Sequence, residues 1–185
     1  MKNYTAVLQG ISPYSQSRFH DTKKLEKESA SDYEERTWLN RMRINKDGYV
    51  EILPMALKIC LESTAKYLSQ RIPGQGKSTY TKHFLSGIMV LEPLVLSARQ
   101  ENIIKETFLV PANGLKGGST RVTKHFPAVV EWKTTALIHV LDEVITKTVL
   151  EFHLQQSGQF VGLGRFRPQT GGFYGRFRLE FLVEG

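Results

Sequence analysis

The residues best suited to a definite chemistry lie close together at 161–181, VGLGRFRPQTGGFYGRFRLEF. Arg165, Arg167, Arg176 and Arg178 carry planar, permanently charged forks that match the oxygens of phosphate. Phe166, Phe173 and Tyr174 lie among them and can stack on bases or fill a core. Five glycines in the same stretch leave the backbone free to approach a ligand closely, and Glu180 is its only acid. The pattern predicts a glycine-rich basic loop that runs into a C-terminal strand. Phe177, Leu179 and Phe181 are expected on one face of that strand, and Arg176, Arg178 and Glu180 on the other. A glycine-rich hairpin with solvated arginines is the bland alternative; aromatics set between arginines favour a nucleic-acid contact.

Two further segments, 71–83 (RIPGQGKSTYTKH) and 113–125 (NGLKGGSTRVTKH), are basic and free of acids in a chain that holds 18 of them. If the three segments converge, they form one electropositive surface. The expected phosphate contacts are Arg18, Lys77, Lys82, Lys116, Arg121, Lys124, Arg165, Arg167 and Arg176. The expected stacking residues are Phe166, Phe173 and Tyr174, with Trp38 beside them. GQGKST at 74–79 is not a phosphate loop of the nucleotide-hydrolysing kind. The position that needs its first glycine is Arg71, and a helix rather than a strand is predicted before it. Of the five histidines, His139 and His153 fall in predicted elements and read as structural. His20, in PYSQSRFHD, could instead serve as the general base of an RNA-cleaving site. No cofactor and no metal site are implied.

The balance of the chain agrees with a polyanionic partner. Its 185 residues carry a formal charge of +7 and a pI of about 9.5. The single cysteine, Cys60, allows no internal disulfide and falls among apolar residues. Neither a signal peptide nor a membrane span is legible, so a cytoplasmic protein without a membrane partner is expected.

The elements that must position these residues are read from periodicity. A strand is predicted at 4–11, followed by a highly charged excursion at 12–48 with a short helix near 32–41. A short strand at 49–53 leads into the clearest helix, 54–71, which opens on Pro54. Its stripe of Leu57, Leu61, Thr64 and Leu68 faces a core, and Lys58, Glu62 and Lys66 face solvent. Strands are predicted at 84–96 and 107–110, one or two more within 127–141, and a helix over 146–157 that Gly158 ends. Collapsed to its core, the order is βαββαβ. This is an α+β fold, a single ferredoxin-like or RRM-like domain over 1–185, with an insertion at 12–48 after the first strand and a C-terminal glycine-rich loop.

That order, together with two motifs, resembles the RAMP superfamily, the ferredoxin-like RNA-binding proteins of CRISPR systems. In VEILPMALKICLESTAKYL, a β-segment runs into the first helix through Ile52, Pro54, Ala56 and Lys58, although a leucine separates Ile52 from Pro54. Gly162-Leu163-Gly164, the arginines and Gly171-Gly172-Phe173-Tyr174-Gly175 are similar to the family's glycine-rich loop. The nearest class is the backbone subunit of CRISPR effector complexes, and a stand-alone relative from a phage or mobile element would account for the shorter chain. The resemblance implies sequence-tolerant binding of single-stranded RNA, or of DNA, by protomers that assemble along the strand. Two other readings stay open: a metal-independent endoribonuclease of the same superfamily using His20, and a non-enzymatic protein-binding module that mimics an effector subunit.

Overall fold

A computed structural model describes residues 1–114 and 119–185; Lys116 lies outside the described residues. The chain runs β1 (Lys2–Gly10), β2 (Tyr14–Ser15), α1 (Ala30–Thr37) with a 3-10 turn at Trp38–Arg41, β3 (Tyr49–Ile52), α2 (Pro54–Leu68) and α3 (Thr81–Ser86). It continues with β4 (Ile88–Met89), β5 (Leu94–Arg99), β6 (Ile103–Pro111), β7 (Arg121–Val129), β8 (Lys133–Val140), α4 (Lys147–Gln156) and β9 (Phe177–Glu184).

The larger sheet has the order β3-β5-β8-β1-β9, with β4 also paired to β8, and all of its ladders are antiparallel. β1 lies between β8 and β9 because its alternation gives it an inward face of Tyr4, Ala6 and Leu8, each wholly buried. α2 leads from β3 through α3 towards β4 and β5, and α4 connects β8 to β9. Leu57, Leu61 and Ala65 of α2 and Leu150 and Leu154 of α4 share one core with β1, Ala136 and Ile138. A smaller sheet, β2-β7-β6, is built on the long hairpin between β5 and β8.

α2 begins at Pro54, as its sequence predicts, but stops at Leu68, where Ser69 turns left-handed (φ 45°) and its amide closes on the Ala65 carbonyl at 3.1 Å. The segment at 84–96 is not one strand. Its first residues finish α3, which places Phe84 flat against the buried His153 ring, 4.2 Å between centroids. A short apolar run carries no signal to separate such a turn from a strand. The hairpin strands are longer than expected, and β7 takes up Arg121 to His125, which had read as loop.

Two further expectations fail for local reasons. Gly158 does not end the second long helix. α4 passes into a π-helical turn, Ser157–Val161, and a Cβ at Gly158 would stand 1.8 Å from the Phe177 carbonyl oxygen. The glycine is there so that the helix can pass directly over β9. In β9 the register shifts between Val7 and Leu8: Val7 faces Phe181 and Leu8 faces Leu179. Glu180 therefore sits in a bulge, Phe181 turns out to 51% exposure, and Leu182 takes the inward place.

The excursion at 12–48 is tied to the smaller sheet. β2 pairs with β7, and α1, capped by Ser29 Oγ on the Asp32 amide at 3.1 Å, lays Glu34 against the same strand. Glu34 is buried. It accepts both Arg41 Nη groups at 2.7 and 3.0 Å, Lys124 Nζ at 2.9 Å and the His125 amide at 2.9 Å. Burial would raise this carboxyl, but the hydrogen bonds from Arg41, Lys124 and His125 outweigh it and bring the group down to about 2.

A candidate nucleic-acid interface

The stretch at 161–181 folds as a compact lobe. The Leu163 amide bonds the Gly175 carbonyl (2.9 Å), and the Gly175 amide bonds that of Pro13 (2.7 Å). The Tyr174 amide bonds the Phe166 carbonyl (2.9 Å), and a 3-10 turn at Pro168–Thr170 closes the tip. Gly164 (φ 77°) lets the lobe touch β2: a Cβ there would come within 2.3 Å of the Ser15 carbonyl, which instead accepts the Arg165 amide at 2.8 Å.

A cleft of about 620 Å³ opens between this lobe, the segment after β2 and the start of α2. Its floor is apolar, from Ile52, Leu53, Ile59 and Leu163. Its rim carries four arginines, Arg18, Arg43, Arg165 and Arg167. Gln16 fixes one wall: its side chain donates to the Tyr14 hydroxyl (2.7 Å) and the Glu51 carbonyl (2.6 Å) and accepts the Arg43 amide (2.7 Å). The Arg18 amide is held by the Arg41 carbonyl at 2.9 Å, and its side chain is exposed. Arg167 is braced by the Gly164 carbonyl and Gln169 Oε1, each at 3.1 Å. Phe19, 85% exposed, stands at the mouth. Cys60 reaches the wall from α2, and burial pushes its thiol up to about 12, so it packs rather than reacts.

Arg165 departs most from expectation. It is not a solvated fork. Its guanidinium carbon lies 3.2 Å from the Phe126 ring centroid, 3.5 Å from Phe166 and 5.3 Å from Phe108. Burial pushes the group down to about 10, opposed by the nearby Glu106 carboxylate, and leaves it charged at neutral pH. Tyr174 is buried too. Its hydroxyl donates to Glu106 at 2.7 Å, so its ring is a wall of the same cluster and not an open platform. Phe166 adopts φ 56°, uncommon for a residue with a side chain, and keeps 37% of its surface exposed. Phe173 is the freely exposed ring, at 62%.

The remaining predicted contacts are dispersed. Lys77 and Lys82 line a separate hollow beyond the far end of α2, a helix about 22 Å long at 1.5 Å per residue. Lys124 is committed to Glu34. Arg121 is exposed on β7. Arg176 bonds the Gln159 carbonyl, and Arg178 lies 3.8 Å from Glu180. Trp38 is half-buried in the turn after α1. His20 lies tilted beside Tyr33, 6.3 Å between ring centroids, with Nδ1 buried and unpartnered among the described residues. Among the described residues, Lys77 and Lys82 stand apart from the arginine cleft, and Arg18 and Arg43 come to that cleft from the excursion. Arg43 was missed by sequence reasoning because it sits in RMRINKDG near the end of a segment read as solvated.

No family model matches the sequence, and no curated protein matches it. Among solved structures, the chain is similar to a chain of the type III-B Cmr-beta complex bound to cognate target RNA. The TM-score is 0.57 at 13% identity, over 98% of this chain and 61% of that one. It thus spans about three fifths of that relative's length. It is also similar to Cmr6 from Pyrococcus furiosus (TM-score 0.49, 13% identity, covering 96% of this chain and 97% of that one). The first likeness shows an α+β fold shared with that chain. Among the described residues, no helix is long and apolar enough to cross a membrane.

Proposed function

We propose that this protein is a RAMP-like nucleic-acid-binding module that holds single-stranded RNA in the cleft between the glycine-rich lobe and the start of α2. The observation that carries the reading is the four arginines around an apolar floor, of which Arg18, Arg43 and Arg167 are the forks not enclosed by rings. Guanidinium forks take phosphates, and an apolar floor with Phe19 at its mouth takes base faces. The ferredoxin-like topology is supported by the order β9-β1-β8-β5 with α2 and α4 as the two crossings. The structural relative, a chain of a complex bound to target RNA, supports RNA over DNA. Among the described residues, the cleft lining holds no carboxylate, and the Gln16 amide is committed to Tyr14, Glu51 and Arg43, which favours sequence-tolerant binding; the resemblance to effector backbone subunits adds protomers set side by side along the strand to the proposal.

Binding of a single-stranded RNA oligonucleotide is expected to weaken steeply with salt, because each neutralised phosphate releases counterion. Arg18→Ala combined with Arg167→Ala should make the slope of log affinity against log salt shallower by about one to two phosphate equivalents. The melt should fall little, since neither side chain forms an ion pair among the described residues and Arg167 gives up only its hydrogen bonds to the Gly164 carbonyl and Gln169. An unaltered slope in a folded double variant would remove the cleft from the binding path.

A further inference from the structure

The hollow of about 430 Å³ at the other end of α2 is lined by Lys77, Ser78, Thr79, Lys82 and His83. Every one of these side chains can donate a hydrogen bond, and none is a carboxylate. Lys77 and Lys82 make no ion pair among the described residues. The nearest acid, Asp142, is already committed: its Oδ2 holds His83 Nδ1 at 2.7 Å and its Oδ1 accepts the Val144 amide at 3.0 Å. That grip fixes the imidazole and leaves Nε2 uncommitted at the wall of the hollow. The loop beneath is built and not merely solvated. The Ile72 amide bonds the Ser78 carbonyl at 2.9 Å, the Ser78 amide bonds that of Gln75 at 3.1 Å, and Arg71 bridges to Thr79. Buried Ile72 and Tyr80 anchor its two ends.

We propose that this hollow is a phosphate-monoester site, separate from the arginine cleft, in which Lys77 and Lys82 hold the phosphate oxygens and His83, with its Nδ1–H on Asp142, donates to them from Nε2 as the imidazolium. Two lysines with an oriented imidazole suit a compact terminal phosphate, whose charge is higher than that of an internal diester. Such a group is carried by a free nucleoside monophosphate and by the 5′ end of a processed strand. Asp142 is a positioning residue that acts through His83.

The test is a titration of the full chain with adenosine monophosphate, followed by NMR of the histidine side chains. The His83 signal is identified as the one missing in His83→Gln. Saturable movement of that signal is expected. Lys77→Ala with Lys82→Ala should weaken the binding at least tenfold without changing the melt. Asp142→Asn should change the tautomer balance of His83, read from its nitrogen shifts, and weaken binding severalfold. A parallel titration with 5′-phosphorylated and 5′-hydroxyl forms of one oligonucleotide separates the sources. Saturation at lower concentration by the phosphorylated strand assigns the site to strand ends, and saturation at lower concentration by adenosine monophosphate assigns it to free nucleotides. A His83 signal that does not move, or one that moves equally in the double lysine variant, overturns the site. The arginine cleft is intact in all these variants, so loss here is distinct from failure of RNA binding there.

Discussion

Glu34→Ala is expected to lower the stability of the fold by about 3–5 kcal/mol, the range for removing one partner of a buried ion pair. The change leaves Arg41, whose side chain is only 12% exposed, without its carboxylate and with the His125 carbonyl as its remaining hydrogen-bond acceptor, and frees Lys124 and the His125 amide together. Four hydrogen bonds converge on one carboxylate that joins the excursion to β7, so the loss should appear as release of α1 from the hairpin and not only as a lower melting temperature. Acid should reproduce it. The folded carboxyl titrates at about 2, below its ordinary value of 4.5. Its contribution is therefore complete above pH 4.5 and is lost as pH falls from there towards 2. His153 acts with the same sign from higher pH. Burial lowers its pKa in the folded state, so the unfolded chain takes up a proton first as pH drops through the ordinary histidine range. Chemical denaturation of the wild type and Glu34→Ala at neutral pH and near pH 3 checks both parts. A variant as stable as the wild type at neutral pH would show that the cluster contributes nothing net.

Arg165→Ala should cost about 2–4 kcal/mol, since desolvated cation–π contacts reach about 2 kcal/mol each and the guanidinium lies between two rings. Lysine should not rescue it, because an ammonium cannot fill a planar slot between Phe126 and Phe166. Arg165→Met should. An apolar chain of similar volume replaces the stack without a buried charge, and replacements of buried charges by well-packed apolar side chains are often neutral. The methionine variant then separates two roles: it should melt near the wild type yet bind RNA more weakly, since Arg165 also lines the cleft. If Arg165→Ala melts like the wild type, the sandwich has no structural weight.

The fold was legible wherever periodicity was undisturbed. The alternation of Tyr4, Ala6 and Leu8 and the Pro54 start of α2 were plain, and they are enough to order the larger sheet. The segments that misread did so through contacts distant in the chain. Phe84 turns in because His153 awaits it, and Gly158 lies under the Phe177 carbonyl rather than at a helix end. Phe181 turns out because a bulge shifts its phase. The candidate site divides in the same way. Arg167 and Arg18 stand at the cleft as residue type alone suggests. Arg165 and Tyr174 were misjudged because the rings and the carboxylate that enclose them, Phe108, Phe126 and Glu106, come from a hairpin some 40–70 residues earlier in the chain. Charge counting sees a guanidinium and cannot see the rings around it.

The bulge at Glu180 has a bearing on how copies of the chain can meet. β9 is an outer strand of the larger sheet, with a row of backbone groups open on its far side. A flat strand in that place is a template for runaway edge-to-edge pairing, and a local twist with interspersed charge is a common safeguard. Arg178, Glu180 and Glu184 punctuate β9, and its register breaks midway along the edge. At the opposite edge β3 has only four residues. Under the proposed assembly along a nucleic-acid strand, protomers should therefore meet through side chains, keeping each sheet closed to its neighbours and the array reversible when the strand is removed.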